Sequence, residues 1–229
     1  MIDIQKYTHE ISEWGTPATS YPEQELNNFR IHHGRYNRGT YYMYGIDGHI
    51  FFEAVKPLVI TNLQEKRGKK WCNWMVDDPP HWRAMEIYAE HSTGKVLTTG
   101  LGLGLYLQAL AKNKNIEQVT VVEKNPDVIK LIKPHLPDLP KLDILVEDFY
   151  DFIRWNKTQW DTIMVDLWVA HGVDEKMKLF NREVIPLFVD LTQRYPGAEL
   201  TFHGFSTVSA IKHTSAEMTK LVGKVMGGK

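Results

Sequence analysis

The feature that most constrains the fold is a regular alternation of β-prone and helical segments that begins after Gly94. Short apolar, β-branched runs predict strands, and apolar residues at helical spacing predict helices. Strands are predicted at residues 96–99, 119–123, 142–146, 162–166 and 199–202. Helices are predicted at 105–112, 127–133, 149–155, 174–194 (interrupted or restarted near Pro186) and 208–222. This alternation predicts an α/β fold with a Rossmann-like, mostly parallel sheet and right-handed crossovers.

The chain before this alternation has a different pattern. Residues 1 to about 40 are polar and rich in aromatics, His and Arg, and we interpret them as a helix or loop that packs onto another element. Aromatic and β-branched runs around an Asp-Gly pair predict a β-hairpin over residues 41–53. A helix is predicted just after Pro79 and Pro80. The predicted organisation is an N-terminal region with hairpin and entry helix, 1–92, and a Rossmann-like domain, 93–229.

Composition argues against several classes of function. The 229-residue chain has a formal net charge of −1, which does not favour nucleic acid or an anionic membrane as partner. The basic run at 66–70 contains Gly68 and predicts a solvated turn. Cys72 is the single cysteine, so neither a disulfide framework nor a thiolate zinc site fits one chain, and we predict no metal. The sequence shows neither a signal-peptide core nor an apolar run of about 20 residues, so we expect a cytoplasmic protein.

Three glycines follow the first strand of the alternation, in the run Gly100-Leu101-Gly102-Leu103-Gly104. Ligands of such sheets bind outside the carboxyl ends of the strands, near the switch point beside the first strand. Gly100 permits a sharp turn, and Gly102 and Gly104 let the backbone approach a ligand without an intervening Cβ. The helix that follows offers free N–H groups to an anion. The alternative is a tight turn with close helix–strand packing and no ligand.

Acidic side chains end the next three strands. Glu123 follows the loop at about twenty residues, where a carboxylate can accept both hydroxyls of an adenosine ribose. Asp148 is placed to accept a hydrogen bond from an adenine amino group, with Phe149 beside it for stacking. Asp166 points to the space where a reacting group would lie. Leu105 stands where a dinucleotide fingerprint needs its third glycine, which favours an S-adenosyl ligand over NAD. Each acid could also be a helix N-cap.

The residues predicted to bind the nucleotide are Gly100, Leu101, Gly102, Gly104, Glu123, Lys124, Asp148, Phe149 and Asp166.

Segments of this chain are similar to the motifs of one family. They are Val96 to Gly104, Val119 to Ile129, Glu147 to Ile153 and Trp160 to Asp166. With these motifs, residues 44–205 resemble the class I S-adenosylmethionine-dependent methyltransferase superfamily, and within it the spermidine synthase-like branch. The resemblance implies the class I methyltransferase fold and a cofactor that is S-adenosylmethionine or its decarboxylated form. It also implies that Asp166 is catalytic.

Upstream and on the acceptor side the resemblance is incomplete. Asp78 with Trp82 and Met85 resembles the family's entry motif, although the family has tyrosine where this chain has Trp82. A polyamine synthase has a second acid shortly after the catalytic aspartate, whereas residues 167–170 read Leu-Trp-Val-Ala. Phe51 replaces a glutamine, and Leu103 replaces an acid of the glycine loop. Because a diamine is a dication, these losses weaken the case for aminopropyl transfer to a diamine.

Three functions stay open at this point. The first is a methyltransferase for an unidentified small nucleophile, which Asp166 orients or deprotonates. The second is aminopropyl transfer from decarboxylated S-adenosylmethionine, and the third is S-adenosylmethionine binding without catalysis. The residues predicted for the acceptor pocket are Asp78, Trp82, Trp168 and His171. We expect a small-molecule acceptor as partner, and the hairpin either contributes to a homodimer or forms a lid.

Overall fold

The structure is a computed structural model that describes residues 8–45, 48–168, 175 and 178–205. The strands are β1 (Thr8–Ile11), β2 (Gln24–Leu26), β3 (Phe29–Tyr36), β4 (Gly39–Gly45), β5 (Gly48–Ala54), β6 (Leu58–Arg67), β7 (Lys70–Val76), β8 (Gly94–Thr99), β9 (Ile116–Glu123), β10 (Leu142–Val146), β11 (Thr162–Val165) and β12 (Glu199–Phe202). The α-helices are α1 (Pro79–His91), α2 (Leu105–Leu110), α3 (Pro126–Ile132), α4 (Phe149–Trp155) and α5 (Ile185–Arg194). Short 3₁₀ turns occupy Pro17–Ser20 and Lys133–His135, and a π-helical turn, Phe180–Val184, precedes α5.

The alternating half of the chain forms one parallel sheet of order β10-β9-β8-β11-β12. Every neighbouring pair in it is parallel, so the carboxyl ends of all five strands lie at the same edge. The predicted α/β class and Rossmann-like parallel sheet are therefore confirmed. The predicted helix 149–155 and strand 199–202 coincide with α4 and β12. The predicted helix 208–222 and the start of the predicted helix at 174 lie outside the described residues.

The first half of the chain forms two further sheets. One has the order β1-β5-β4, and the other is an antiparallel sheet of order β2-β3-β6-β7. The predicted hairpin is confirmed as the antiparallel pair β4–β5, whose turn residues 46 and 47 lie outside the description. The basic run 66–70 is the exposed turn between β6 and β7, with φ +63° at Gly68.

For the described residues 8–40, the interpretation as a helix or loop is wrong where three strands form, whereas the predicted packing onto another element is found in the shared core. Residues 8–11, 24–26 and 29–36 are strands. In β3, the buried Phe29 and Ile31 alternate with the half-buried Arg30 and His32, which is the period of a strand with one face on the core. This signal is short, and the strand pairs with β6 about thirty residues away, a contact that local sequence does not reveal.

The antiparallel sheet β2-β3-β6-β7 and the parallel sheet share a hydrophobic core. One buried cluster contains Tyr21, Ile31 and Leu63 from the N-terminal half together with Met85 of α1 and Leu103 of the glycine loop. A second cluster packs α4 and α5 against strands of the parallel sheet. None of the helices in the part of the chain described here combines the length and the apolarity needed to span a membrane.

Candidate functional site

A cavity of about 260 Å³ lies at the carboxyl edge of the parallel sheet. The residues predicted for the nucleotide or acceptor site that line it are Gly100, Leu101, Gly102, Glu123, Lys124, Asp166 and Trp168. They come from the turns after β8, β9 and β11, which the parallel sheet brings together. The remaining wall comes from β7, α1 and α2, from the ends of β8 and β11, and from Leu167.

The glycine loop is held by contacts within the protein. Gly100 has φ +71°, and a Cβ there would lie 2.8 Å from the carbonyl oxygen of Asp166. Gly102 has φ +51°, and its missing Cβ makes room for the side chain of Met75. Gly104, at φ +72°, is packed in the same way by Leu136 and does not line the cavity, so its contact with a ligand stays a prediction.

Several amides of this loop are already paired. The Leu101 N–H donates to Glu123 Oε2 at 2.8 Å, and the Leu103 N–H donates to the Met75 sulfur at 3.2 Å. The Gly104 N–H donates to the carbonyl of Leu101 at 2.8 Å. Close packing and these bonds explain the glycines without a ligand. The argument for a nucleotide site therefore depends on the acids around the cavity.

Glu123 is the buried acid of the cavity, 9% exposed at the end of β9. Besides Leu101, it accepts the Asn125 N–H at 2.7 Å. Burial raises the pKa of Glu123, and these amides partly oppose the shift. Each carboxylate oxygen has a second lone pair, so Glu123 still has the capacity to accept ligand hydroxyls.

Asp148 and Phe149 line an adjoining cavity of about 330 Å³. Lys124, Leu167 and Trp168 line both cavities, which therefore adjoin at these residues. Asp148 is the N-cap of α4, since its Oδ1 accepts the Tyr150 N–H at 2.9 Å.

Lys124 forms an ion pair with Asp148 where the two cavities adjoin. Its Nζ lies 2.9 Å from Asp148 Oδ2, and this hydrogen bond lowers the pKa of Asp148. The charge of Lys124 is therefore already matched by a carboxylate. Among the described residues that line the first cavity, the carboxylates are Glu123 and Asp166.

Asp166 follows β11 directly, and its backbone is fixed beside the glycine loop. Its N–H donates to Thr99 Oγ1 at 2.9 Å, and its carbonyl packs on Gly100. Trp168, two residues further on, stacks on Phe202 with ring centroids 6.3 Å apart. These contacts hold the strand end that carries Asp166. His171 lies outside the described residues.

Asp78 and Trp82 do not line the cavity. Asp78 is the buried N-cap of α1: its Oδ1 accepts the His81 N–H at 3.1 Å and its Oδ2 accepts the Tyr36 hydroxyl at 3.0 Å. Trp82 belongs to the hydrophobic core, with Lys112 Nζ 5.1 Å from its ring centroid. In the structure both residues stabilise α1, and their place in the acceptor pocket stays a prediction.

Sequence reasoning missed the walls supplied by the N-terminal half. Trp74 and Met75 of β7 and Met85 of α1 line the cavity. No motif marked Trp74 or Met75, because β7 was not predicted and its approach to the loop is a long-range contact, whereas Met85 belongs to the segment that resembles the family's entry motif. It also missed the contact between His81 and His203, which lie 122 positions apart. Among the described residues, no group of three or more His, Cys, Asp or Glu is placed to hold a metal.

The strand order of the parallel sheet is that of a Rossmann-like fold and is consistent with the class I S-adenosylmethionine-dependent methyltransferase fold. Within that class, residues 84–193 match the spermine/spermidine synthase domain. The resemblance to the spermidine synthase-like branch is thereby confirmed for this segment.

Curated relatives match over part of their length. The chain is 36% identical over 80 residues to a polyamine aminopropyltransferase of Sulfurisphaera tokodaii, covering 32% of this chain and 27% of the relative. It is 30% identical over 98 residues to the polyamine aminopropyltransferase of Yersinia pestis, covering 40% of this chain and 33% of that one. The matched segment thus spans about a quarter to a third of these relatives.

Two solved structures are similar at low identity. The spermidine synthase of Thermotoga maritima superposes with a TM-score of 0.44 and 14% identity, over 86% of this chain and 73% of that chain. A ribosomal protein L11 methylase of Lactobacillus delbrueckii subsp. bulgaricus gives 0.41 and 12%, over 62% and 69%. The fold assignment therefore rests on the strand order of the parallel sheet.

Proposed function

We propose that this protein binds decarboxylated S-adenosylmethionine and transfers its aminopropyl group to an unidentified small nucleophile. The observation that carries the proposal is the charge of the cavity. Its carboxylates are Glu123 and Asp166, and the cation Lys124 is already paired with Asp148. S-adenosylmethionine brings a carboxylate that its decarboxylated form lacks. Near two acids, and with Lys124 paired and no other Lys or Arg among the described residues that line the cavity, that extra carboxylate is disfavoured.

The family match supports the same choice. The match to the spermine/spermidine synthase domain and the two aminopropyltransferase relatives favour aminopropyl transfer. They thereby reverse the order predicted from the sequence, in which methyl transfer came first. The missing second acid after Asp166 leaves the acceptor unidentified.

The donor fits the residues at the sheet edge. Glu123 would accept the ribose hydroxyls through the lone pairs that the loop amides leave available. Asp148 and Phe149 would hold the adenine in the adjoining cavity. Trp74 and Trp168, which line the first cavity, offer aromatic faces that attract a cation. When bound, the sulfonium supplies the electrophile.

Asp166 would then orient the nucleophile. Its backbone is fixed by Thr99 and by close packing on Gly100, so its carboxylate is held on a rigid strand end. Rigid placement of a nucleophile in line with the leaving group is the main contribution that a protein makes to such a transfer.

The test is calorimetric titration with S-adenosylmethionine, its decarboxylated form and S-adenosylhomocysteine, followed by product assays with a panel of amines. We expect the decarboxylated donor to bind at least about tenfold more tightly, a difference of about 1.4 kcal/mol. Tighter binding of S-adenosylmethionine, with methylated product, would favour the methyltransferase. Binding of any of them without product from any acceptor would favour a protein that binds the nucleotide without catalysis.

Two variants test the assigned residues. Glu123→Ala should weaken donor binding about tenfold or more, because the ribose and the Leu101 amide lose their acceptor. Glu117→Ala, an exposed acid on the same strand, is the matched control and should bind as the parent protein does. Asp166→Ala should lose turnover and also bind the decarboxylated donor more weakly, because it removes one of the two carboxylates of the cavity. Full turnover of this variant would remove Asp166 from the mechanism.

A further inference from the structure

Two imidazoles are in direct contact at the carboxyl edge of the sheet. His81 lies in the first turn of α1 and His203 directly follows β12, and their Nε2 atoms are 3.1 Å apart. The rings are tilted by 34°, with centroids 4.9 Å apart. A hydrogen bond between two imidazole nitrogens requires that one carries a proton and the other does not. The contact is therefore a place where one proton is shared.

A buried carboxylate lies behind this pair. Asp78 Oδ1 is 3.6 Å from His81 Nδ1, and the other oxygen is occupied by the Tyr36 hydroxyl. Burial opposes a charge on His81, but Asp78, with smaller contributions from Asp166 and Asp77, more than offsets it, so the pKa of His81 is raised. A proton that reaches the pair is therefore stabilised on His81, the imidazole next to Asp78.

The pair lies on the Asp166 side of the site. The His203 N–H donates to the carbonyl of Val165 at 2.8 Å, and Val165 immediately precedes Asp166. Asp166 is also close enough to raise the pKa of His81 by its charge. The titratable groups of the described residues that face the pair are Asp77 and Asp78 before α1, Tyr36 on β3, Tyr88 on α1 and Asp166 after β11.

We propose that Asp78, His81 and His203 form a proton-accepting chain for the acceptor nucleophile. This inference rests on the aminopropyl transfer proposed above. An ammonium acceptor must lose one proton before its nitrogen lone pair can attack. The new C–N bond then forms as the C–S bond breaks, and the electrons of that bond neutralise the sulfonium to a thioether. The released proton passes by way of Asp166 to the imidazole pair and ends on His81 beside Asp78.

Residues 167 to 173 contain no carboxylate, so Asp166 has no acidic neighbour along the chain to take the proton onward. The histidine pair supplies that capacity from α1 and from the end of β12. Because no contact with the reacting atoms is assigned to them, His81 and His203 are positioning residues that act through Asp166.

The experiment is the pH profile of kcat/KM with decarboxylated S-adenosylmethionine and either 1,4-diaminobutane or 1-aminobutane. His203→Gln and His81→Gln keep a polar side chain but cannot accept a proton near neutral pH. We expect each to lower kcat at least tenfold at the optimum of the parent protein, to leave KM for the donor unchanged and to remove the acidic limb that protonation of the histidine pair produces. His91→Gln, an exposed histidine at the other end of α1, is the matched control and should keep the parent profile.

Donor affinity and thermal unfolding, measured on the same variants, separate chemistry from folding. An unchanged acidic limb in His203→Gln would overturn the proton chain, as would an equal loss at every pH together with lost donor affinity. His203→Asn serves as a second variant if the glutamine does not fold. If the parent protein makes no product from this donor with any amine, the proposed function is overturned together with the proton-accepting chain. If the parent protein makes product and the histidine variants keep its pH profile, only the proposed proton-accepting chain is overturned.

Discussion

Gly102 and Gly68 show how one backbone conformation has different consequences in different surroundings. Both have positive φ, +51° at Gly102 and +63° at Gly68. Nothing lies within 4 Å of a Cβ built at Gly68, whereas a Cβ at Gly102 would overlap the side chain of Met75. The second position thus requires glycine for two reasons, conformation and space.

We expect Gly68→Ala to cost about 1 kcal/mol of stability, from the left-handed conformation alone. Gly102→Ala should cost about 2–4 kcal/mol, because overpacking adds to that strain. The measurement is urea unfolding of both variants. Adding Met75→Ala should recover part of the loss in Gly102→Ala, since the two side chains compete for one space. Equal losses at the two glycines would contradict the packing of Met75 on the loop.

At the scale of elements, Asp148 has two structural contacts at the start of α4 besides its predicted role in ligand binding. Its Oδ1 caps the helix and its Oδ2 pairs with Lys124. We expect Asp148→Ala to lower the free energy of unfolding by about 1 kcal/mol, the usual cost of a lost N-cap. Asp148→Asn keeps the cap and loses only an exposed ion pair, so its stability should match that of Lys124→Gln.

Urea unfolding of the three variants provides the check. If Asp148→Asn proved as unstable as Asp148→Ala, the ion pair rather than the cap would hold the start of α4. Donor affinity of the same variants tests the adenine role separately, because asparagine retains one acceptor oxygen.

Elements with a strong local period were predicted well. The strands of the parallel sheet are buried on both faces and read as short apolar runs, and their helices carry caps such as Asp148 and Asn125. β6 and β7 were not predicted, although β6 is buried over much of its length. Their polar and charged ends and their distant partners obscure the strand period.

At the scale of the molecule, the two halves of the chain share one core. The Tyr21 hydroxyl donates to the carbonyl of Leu103 at 3.2 Å, and Leu103 is fully buried among side chains of both halves. The division into 1–92 and 93–229 stays a proposal about sequence organisation. The shared cluster indicates that neither part can bury its apolar surface alone.

We therefore expect a fragment of residues 93–229 to lack a cooperative unfolding transition. Removing the N-terminal half exposes the face of the parallel sheet that packs on Tyr21, Ile31 and Met85. Near-ultraviolet circular dichroism and thermal unfolding are the measurements, with the full chain as control. A fragment that unfolds cooperatively with native-like aromatic signals would show that the halves fold independently.

The sequence by itself determined the parallel sheet, the glycine loop and the acids that end its strands. These features are local: period, turn residues and strand ends are encoded within a few positions of one another. Only the tertiary structure decided what covers the loop and which histidines meet. Met75 fills the space beside Gly102, and His81 contacts His203. Such contacts join residues distant along the chain, and they form because burying shared apolar surface brings those elements together.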